Sequence, residues 1–246
     1  MVDPSPDGRR IAFFGGSFDP PHMGHLAVAR AARAALRLDT VLFAPVGAQP
    51  LKPRGSTAGF DDRLEMTRLA ITGEPGFAVS LADAPGPAEA AKSPNYTANY
   101  TIDTLQRMRA GLAAGDTLFC LMGADSFLGL RRWHRGGEIP FVAPLIVASR
   151  PGEDLTDLAA VLPAGLSVDA GSAPAADSGG VEVRGYTLRN AGGAAAPLYL
   201  LPGLQVEISA SEIRLQVRSA LGRLAAGHEL LPDAVAEYIA AHGLYR

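Results

Sequence analysis

The feature that most constrains the fold of this chain is a strand, a glycine turn and a helix in immediate succession near its start. Ile11-Ala12-Phe13-Phe14 is a continuous apolar run, short enough for a strand buried on both faces. Gly15-Gly16-Ser17-Phe18-Asp19-Pro20-Pro21-His22-Met23-Gly24-His25 interrupts it, and a helical pattern follows from about Gly24 to Leu38. The alternation continues. Thr40 to Pro45 reads as a strand, Asp61 as the N-cap of a helix carrying Leu64, Leu69 and Ile71, and Phe77 to Leu81 as a third strand. A helix over about 98–114 and strands over 117–122 and 140–148 come next. Leu198 to Leu201 gives another strand, Ser209 to Leu224 a helix, and Pro232 opens a last helix reaching about Ala241. Strands alternating with helices imply an α/β fold, a doubly wound parallel sheet of Rossmann-like type with a helical C-terminal end.

The 246 residues, 48% hydrophobic, can bury a sizeable core, and a single domain over 1–246 is expected. The stretch at about 153–193 stands apart. Rich in Ala, Gly, Pro, Ser and Asp, it reads as a loop-rich insertion with one strand-like piece, Val181-Glu182-Val183. A formal net charge of −3 gives no general basic field for nucleic acid or an anionic membrane, so any phosphate chemistry rests on locally placed groups. No stretch reaches the ~18 apolar residues of a membrane span. The polar start, Met1 to Arg10, lacks the apolar region of a signal peptide. Cys120 is the only cysteine, which excludes an intrachain disulfide or a cysteine metal cluster and suits a reducing compartment. Its place in an apolar run makes it a small core residue. A soluble, cytoplasmic chain with no nucleic-acid or membrane partner is expected.

Chemistry enters at the first turn. The opening N–H groups of a helix and its dipole attract an anion, and glycine lets phosphate approach where a Cβ would obstruct it. His22 and His25 add donors that can follow charge developing in phosphoryl or nucleotidyl transfer. A histidine pair three apart also suits a metal, but no cysteine or carboxylate at matching spacing completes such a site. The turn lacks the Gly-Lys-Ser/Thr of a Walker A loop, and no Ser-His-Asp or Cys-His arrangement points to covalent catalysis. Ile208-Ser209-Ala210-Ser211-Glu212-Ile213-Arg214 places two hydroxyls and a guanidinium at a helix start, where Ser209, Ser211 and Arg214 can meet the same anion. Alone, such residues are more often a cap and a solvated charge. Gly123-Ala124-Asp125-Ser126 is a further strand-to-helix turn. In a doubly wound sheet all three segments are expected at the carboxyl ends of strands.

Gly15 to His25 resembles the Gly-Gly-Ser/Thr-Phe-Asp-Pro-x-His-x-Gly-His motif of the nucleotidyltransferase superfamily, and Ile208 to Arg214 is similar to its second motif, Ile-Ser-x-Ser/Thr-x-x-Arg. Within that superfamily the chain most resembles the bacterial nicotinate-nucleotide adenylyltransferase family. The segments that carry this are Tyr100-Thr101-Ile102-Asp103-Thr104-Leu105, Gly123 to Ser126 with Trp133 following, and the ending Leu230-Leu231-Pro232 through Gly243-Leu244-Tyr245-Arg246. The resemblance covers about residues 11–150 and 198–246.

The resemblance implies transfer of the adenylyl group of ATP to nicotinate mononucleotide, giving deamido-NAD and pyrophosphate by direct in-line attack. It implies that His22, His25 and Arg214 are catalytic and hold the triphosphate, with Gly15, Gly16, Ser17, Phe18, Ser209 and Ser211 also on ATP. Gly123 and Asp125 fall to the adenosine side; Lys52, Tyr100, Thr101 and Trp133 fall to the acceptor. Mg²⁺ is expected on the phosphates, held mainly by substrate and water with no protein metal site. The pattern is departed from at Leu51, where the family often has histidine, and at His134, commonly aromatic. A near-duplicate, Tyr96-Thr97, precedes Tyr100-Thr101, which is preferred because Thr104-Leu105 follows at the family spacing. A phosphopantetheine or nicotinamide-mononucleotide adenylyltransferase, or a nucleotide-binding regulator without turnover, stays open, as does assembly as a homo-oligomer.

Overall fold

The computed structural model describes residues 8–47, 55–86, 99–149, 155, 157–170, 181–204, 208–219 and 230–246. Lys52, Leu51 and Tyr96-Thr97 lie outside the described residues. The strands are β1 (Arg10–Gly16), β2 (Thr40–Pro45), β3 (Phe77–Val79), β4 (Thr117–Gly123), β5 (Leu145–Ala148), β6 (Leu166–Ala170), β7 (Arg184–Asn190) and β8 (Ala195–Leu201). The helices are α1 (Met23–Leu36), α2 (Phe60–Ala70), α3 (Thr101–Ala110), α4 (Ala124–Leu128), α5 (Ile139–Val142), α6 (Leu158–Val161), α7 (Ala210–Ser219) and α8 (Asp233–His242). One sheet of eight strands runs in the order β3-β2-β1-β4-β5-β8-β7-β6. The outward winding from β1 through β2 to β3 resumes on its other side at β4, which is the doubly wound pattern expected.

The chain divides into two compact units. The first comprises residues up to Phe14, Val28–Leu42 and Tyr100–Gln205. In it β1, β4, β5 and β8 pair in parallel, with Phe14 opposite Leu121, Leu121 opposite Ile146 and Ile146 opposite Tyr199. Parallel strands are covered on both faces, so their residues must be apolar without alternation. Ile11 to Phe14, Leu118 to Met122, Leu145 to Ala148 and Leu198 to Leu201 are all buried, Cys120 among them. β7 and β6 then continue the sheet antiparallel. The hairpin between β7 and β8 closes where Asn190 Oδ1 accepts the Ala194 N–H at 2.9 Å and Gly193 takes φ +81°.

The second unit comprises Gly15–Ala27, Phe43–Asn99 and Val206–Arg246. Its core is the packing of Met66 and Ala70 of α2, Ile213 and Val217 of α7, and Val235 and Ile239 of α8, with Leu231 and Tyr245.

Four local expectations differ from the structure. Residues 140–148 do not form one strand: Pro140 has no N–H and a φ suited to a first helical turn, so it joins α5, and only Leu145 to Ala148 pairs as β5. The third strand ends at Val79. Asp61 is not a cap: α2 begins at Phe60 behind Gly59, and Asp61 lies in the first turn, where its charge meets the helix dipole. Residues 181–183 are not strand; β7 begins at Arg184, and with β6 it supplies two strands within the stretch read as loop-rich.

Candidate active site

The glycine turn at the end of β1 is shaped by Phe18. Its backbone takes φ +46°, an uncommon conformation for a bulky residue, and its side chain is completely buried. The Phe18 ring lies under Gly16, where a Cβ would come within 3.2 Å of it, so any side chain there would press on the ring. The ring packs edge-on to the His25 imidazole at 4.9 Å between centroids and against Phe43 at 5.6 Å. Phe18 therefore offers a ligand only its backbone, while its ring fixes the plane of His25.

The spacing of the two histidines has a local cause. His22 is the residue immediately before α1, and its carbonyl accepts the His25 N–H at 2.9 Å. His25 is the third helical residue, and its Nδ1 accepts the His22 backbone N–H at 3.1 Å. This is the reach-back half of a capping box, with imidazole in place of the usual carboxylate. Because Nδ1 accepts, Nε2 carries the hydrogen of the neutral ring and is its donor. The two rings lie 3.8 Å apart between centroids, and His22 is buried. The next N–H, that of Met23, is taken by the Leu230 carbonyl at 2.9 Å.

Arg214 of α7 reaches the same turn. Its Nη1 donates to the Asp19 backbone carbonyl at 2.6 Å and its Nη2 to Ser211 Oγ at 3.1 Å. The Ser209 carbonyl accepts the Ile213 N–H at 3.0 Å, so α7 opens between the two serines. His22, His25, Ser211 and Arg214 are thus gathered on one turn with Gly15, Gly16 and Ser17, within the second unit.

Behind them lies a polar layer in which sequence reasoning gave no role to any residue. Asp19 accepts from the Thr57 N–H at 2.6 Å, the Ala58 N–H at 3.1 Å and the Tyr245 hydroxyl at 2.8 Å. Arg63, 2% exposed, donates to the carbonyls of Ala58 (3.2 Å), Ser17 (2.7 Å) and Val46 (2.8 Å). Burial holds the Arg63 guanidinium below its ordinary pKa, opposed by the Asp19 charge. Burial also raises the Tyr245 phenol well above the usual tyrosine range, helped by the Asp19 carboxylate, so it remains a donor. The sequence held a signal for Arg63: it sits three, four and seven residues before the buried Met66, Thr67 and Ala70, on the inward face of α2.

Of the expected acceptor and adenosine residues, Tyr100, Thr101, Gly123, Asp125 and Trp133 belong to the first unit. Tyr100 is the N-cap residue of α3, extended at φ −88° and ψ 131° and making no side-chain cap bond; Thr101 is the first helical residue. The Tyr100 ring packs against His134 at 4.3 Å between centroids, tilted by 31°. Trp133 is half-buried rather than core. Arg135 lies 3.6 Å from Asp103 in the first turn of α3. Gly123 is the N-cap of α4 and Asp125 is exposed in its first turn. Among the described residues no group of three or more His, Cys, Asp or Glu is placed to hold a metal ion, and no helix is long and apolar enough to cross a membrane.

Comparison with known proteins shows the family. A family model described as cytidylyltransferase-like matches residues 13–216. Proteins named probable nicotinate-nucleotide adenylyltransferase from Citrifermentans bemidjiense, Solibacter usitatus and Laribacter hongkongensis are 37%, 34% and 39% identical, each over 96% of this chain and over 98%, 99% and 94% of their own length. A solved nicotinic acid mononucleotide adenylyltransferase from Plasmodium falciparum, complexed with NaAD, shares the fold at a TM-score of 0.63 and 16% identity, over 96% of this chain and 97% of that one. The chain therefore belongs to the nicotinate-nucleotide adenylyltransferase family, within the cytidylyltransferase-like proteins.

Proposed function

We propose that this enzyme transfers the adenylyl group of ATP to nicotinate mononucleotide, forming deamido-NAD and pyrophosphate. The observation that carries the reading is the gathering of the His25 imidazole, His22 and the Arg214 guanidinium on one glycine turn at a helix start. An oxygen of the acceptor 5′-phosphate attacks the α-phosphorus of ATP in line. The bond from that phosphorus to the bridging oxygen breaks, and the electron pair leaves with pyrophosphate. No covalent enzyme intermediate is needed, so the residues act by position and charge.

His25, through Nε2–H, and His22 donate to the phosphates, and Arg214 neutralises the charge that builds on the leaving group. Gly15, Gly16, Ser17 and Phe18 offer backbone, and Ser209 and Ser211 offer hydroxyls. Gly123 and Asp125 take the adenosine, the exposed carboxylate accepting from ribose hydroxyls. Tyr100 and Thr101 present the N–H groups of α3 to the nicotinate carboxylate, Trp133 stacks on the pyridine ring, and Lys52 meets the acceptor phosphate. A Mg²⁺ ion would arrive on ATP, held by phosphate and water, and would shield the phosphate charge during transfer. The reading places the enzyme in the cytoplasm, with both units acting as one catalytic domain. Pyrophosphate release from ATP with nicotinate mononucleotide tests it; ATP binding without release for any acceptor would point to a regulator instead.

A further inference from the structure

The Asp19 carboxylate is buried, 4% exposed, and takes no part in the transfer proposed above. Its surroundings show what it is kept from doing. Oδ2 of Asp19 lies 4.0 Å from Arg214 Nη1, yet the hydrogen bond of that nitrogen goes to the Asp19 backbone carbonyl. A buried carboxylate short of donors would draw so near a guanidinium into a two-point pair. Asp19 instead receives the Thr57 and Ala58 amides and, on Oδ1, the Tyr245 hydroxyl from 226 residues away. The Tyr245 backbone takes φ +65°, rare for an aromatic residue, and its side chain is buried in the core of α2, α7 and α8.

We propose that Tyr245 is a positioning residue: its hydroxyl completes the hydrogen bonding of Asp19 and so leaves the Arg214 guanidinium available to the phosphates of ATP. This rests on the reading of Arg214 as a phosphate ligand. Arg63, whose charge also faces Asp19, and the two backbone amides supply the remaining compensation.

The test is a double-mutant cycle on the ATP dissociation constant, measured by titration calorimetry with the full chain. Tyr245→Phe keeps the ring and removes one donor. It is expected to weaken ATP binding about tenfold, the scale of one hydrogen bond to a charged group. In an Arg214→Gln background, where no guanidinium remains to be diverted, Tyr245→Phe should change ATP binding less than twofold. Equal effects in both backgrounds mark a merely structural residue and overturn the proposal, as does an unchanged dissociation constant in the otherwise native chain. Thr57→Pro, at an exposed position, withdraws another donor from the same carboxylate and should weaken ATP binding in the same way; it keeps the test open should Tyr245→Phe not fold. A native protein that binds no ATP overturns the functional reading as well, which separates the two failures.

Discussion

The two sets of candidate residues are held in opposite ways. Around the glycine turn, His25 is fixed by a backbone N–H and an aromatic edge, and Arg214 by a carbonyl and a hydroxyl, over a buried layer of Asp19, Arg63 and Tyr245. Around Tyr100 the described side-chain ties are more exposed: its ring tilts against the exposed His134, and Arg135 pairs with Asp103 at 3.6 Å and with Glu138 at 2.7 Å. Donors that must meet charge as it develops lose value if they reorganise, whereas a binding face for a flat ring needs only shape and a few N–H groups. The contrast predicts large, unforgiving effects at the first set and graded ones at the second.

The largest effect should come from His25→Ala, with kcat for pyrophosphate release lower by about 10²–10³-fold, the scale of one lost transition-state donor. His134→Ala should lower kcat less than about tenfold and act mainly on acceptor KM, since stacking contacts contribute modestly. Comparable losses at both positions would erase the contrast.

Arg63→Met comes next. It leaves the carbonyls of Ser17, Val46 and Ala58 without their donor and should lower unfolding free energy by about 3 kcal/mol in urea titration. Arg135→Ala, which breaks only exposed pairs with Glu138 and Asp103, should leave the urea midpoint unmoved.

Thr101→Pro is a narrower probe. Proline is tolerated at the first helical position, and Tyr100 before it is already extended, so α3 should persist while one N–H is lost. Acceptor KM should rise about tenfold with ATP KM unchanged, as expected for a hydrogen bond to a charged group. A rise in ATP KM instead would move this helix start to the other substrate.

The smallest effect is a pH dependence. The folded state raises the Tyr245 phenol above its unfolded value of about 10, so its contribution is intact below about pH 10 and is lost as pH climbs above it. Melting temperatures from pH 9 to 11.5 should fall more steeply for the native chain than for Tyr245→Phe. The phenols of Tyr199 and Tyr238, also raised by burial, are common to both proteins and cancel in the difference.

How much of this was legible in the sequence follows from how local each cause is. The Ile11–Phe14 run, the glycine turn and the α1 start depend on neighbours a few residues apart, and they were readable to within about two residues. The helix start at Tyr100-Thr101 was readable for the same reason. The β7–β8 hairpin carried a local signal too, Asn190-Ala191-Gly192-Gly193 between Tyr186-Thr187-Leu188 and the apolar run from Ala195, masked by the Ala- and Gly-rich composition around it. The polar layer was different. Nothing near Asp19 in sequence announces that its partners are residues 57, 58 and 245, because that pairing is made by tertiary packing alone.

The central claim is that the histidine–arginine cluster performs adenylyl transfer to a carboxylate-bearing nucleotide. The most direct measurement is pyrophosphate release from ATP and Mg²⁺ with nicotinate mononucleotide, nicotinamide mononucleotide and phosphopantetheine compared side by side. The account predicts fastest release with nicotinate mononucleotide and a kcat/KM at least about tenfold higher than with the amide, since one charged hydrogen bond is lost there. Equal turnover of acid and amide, or release with phosphopantetheine alone, would contradict it.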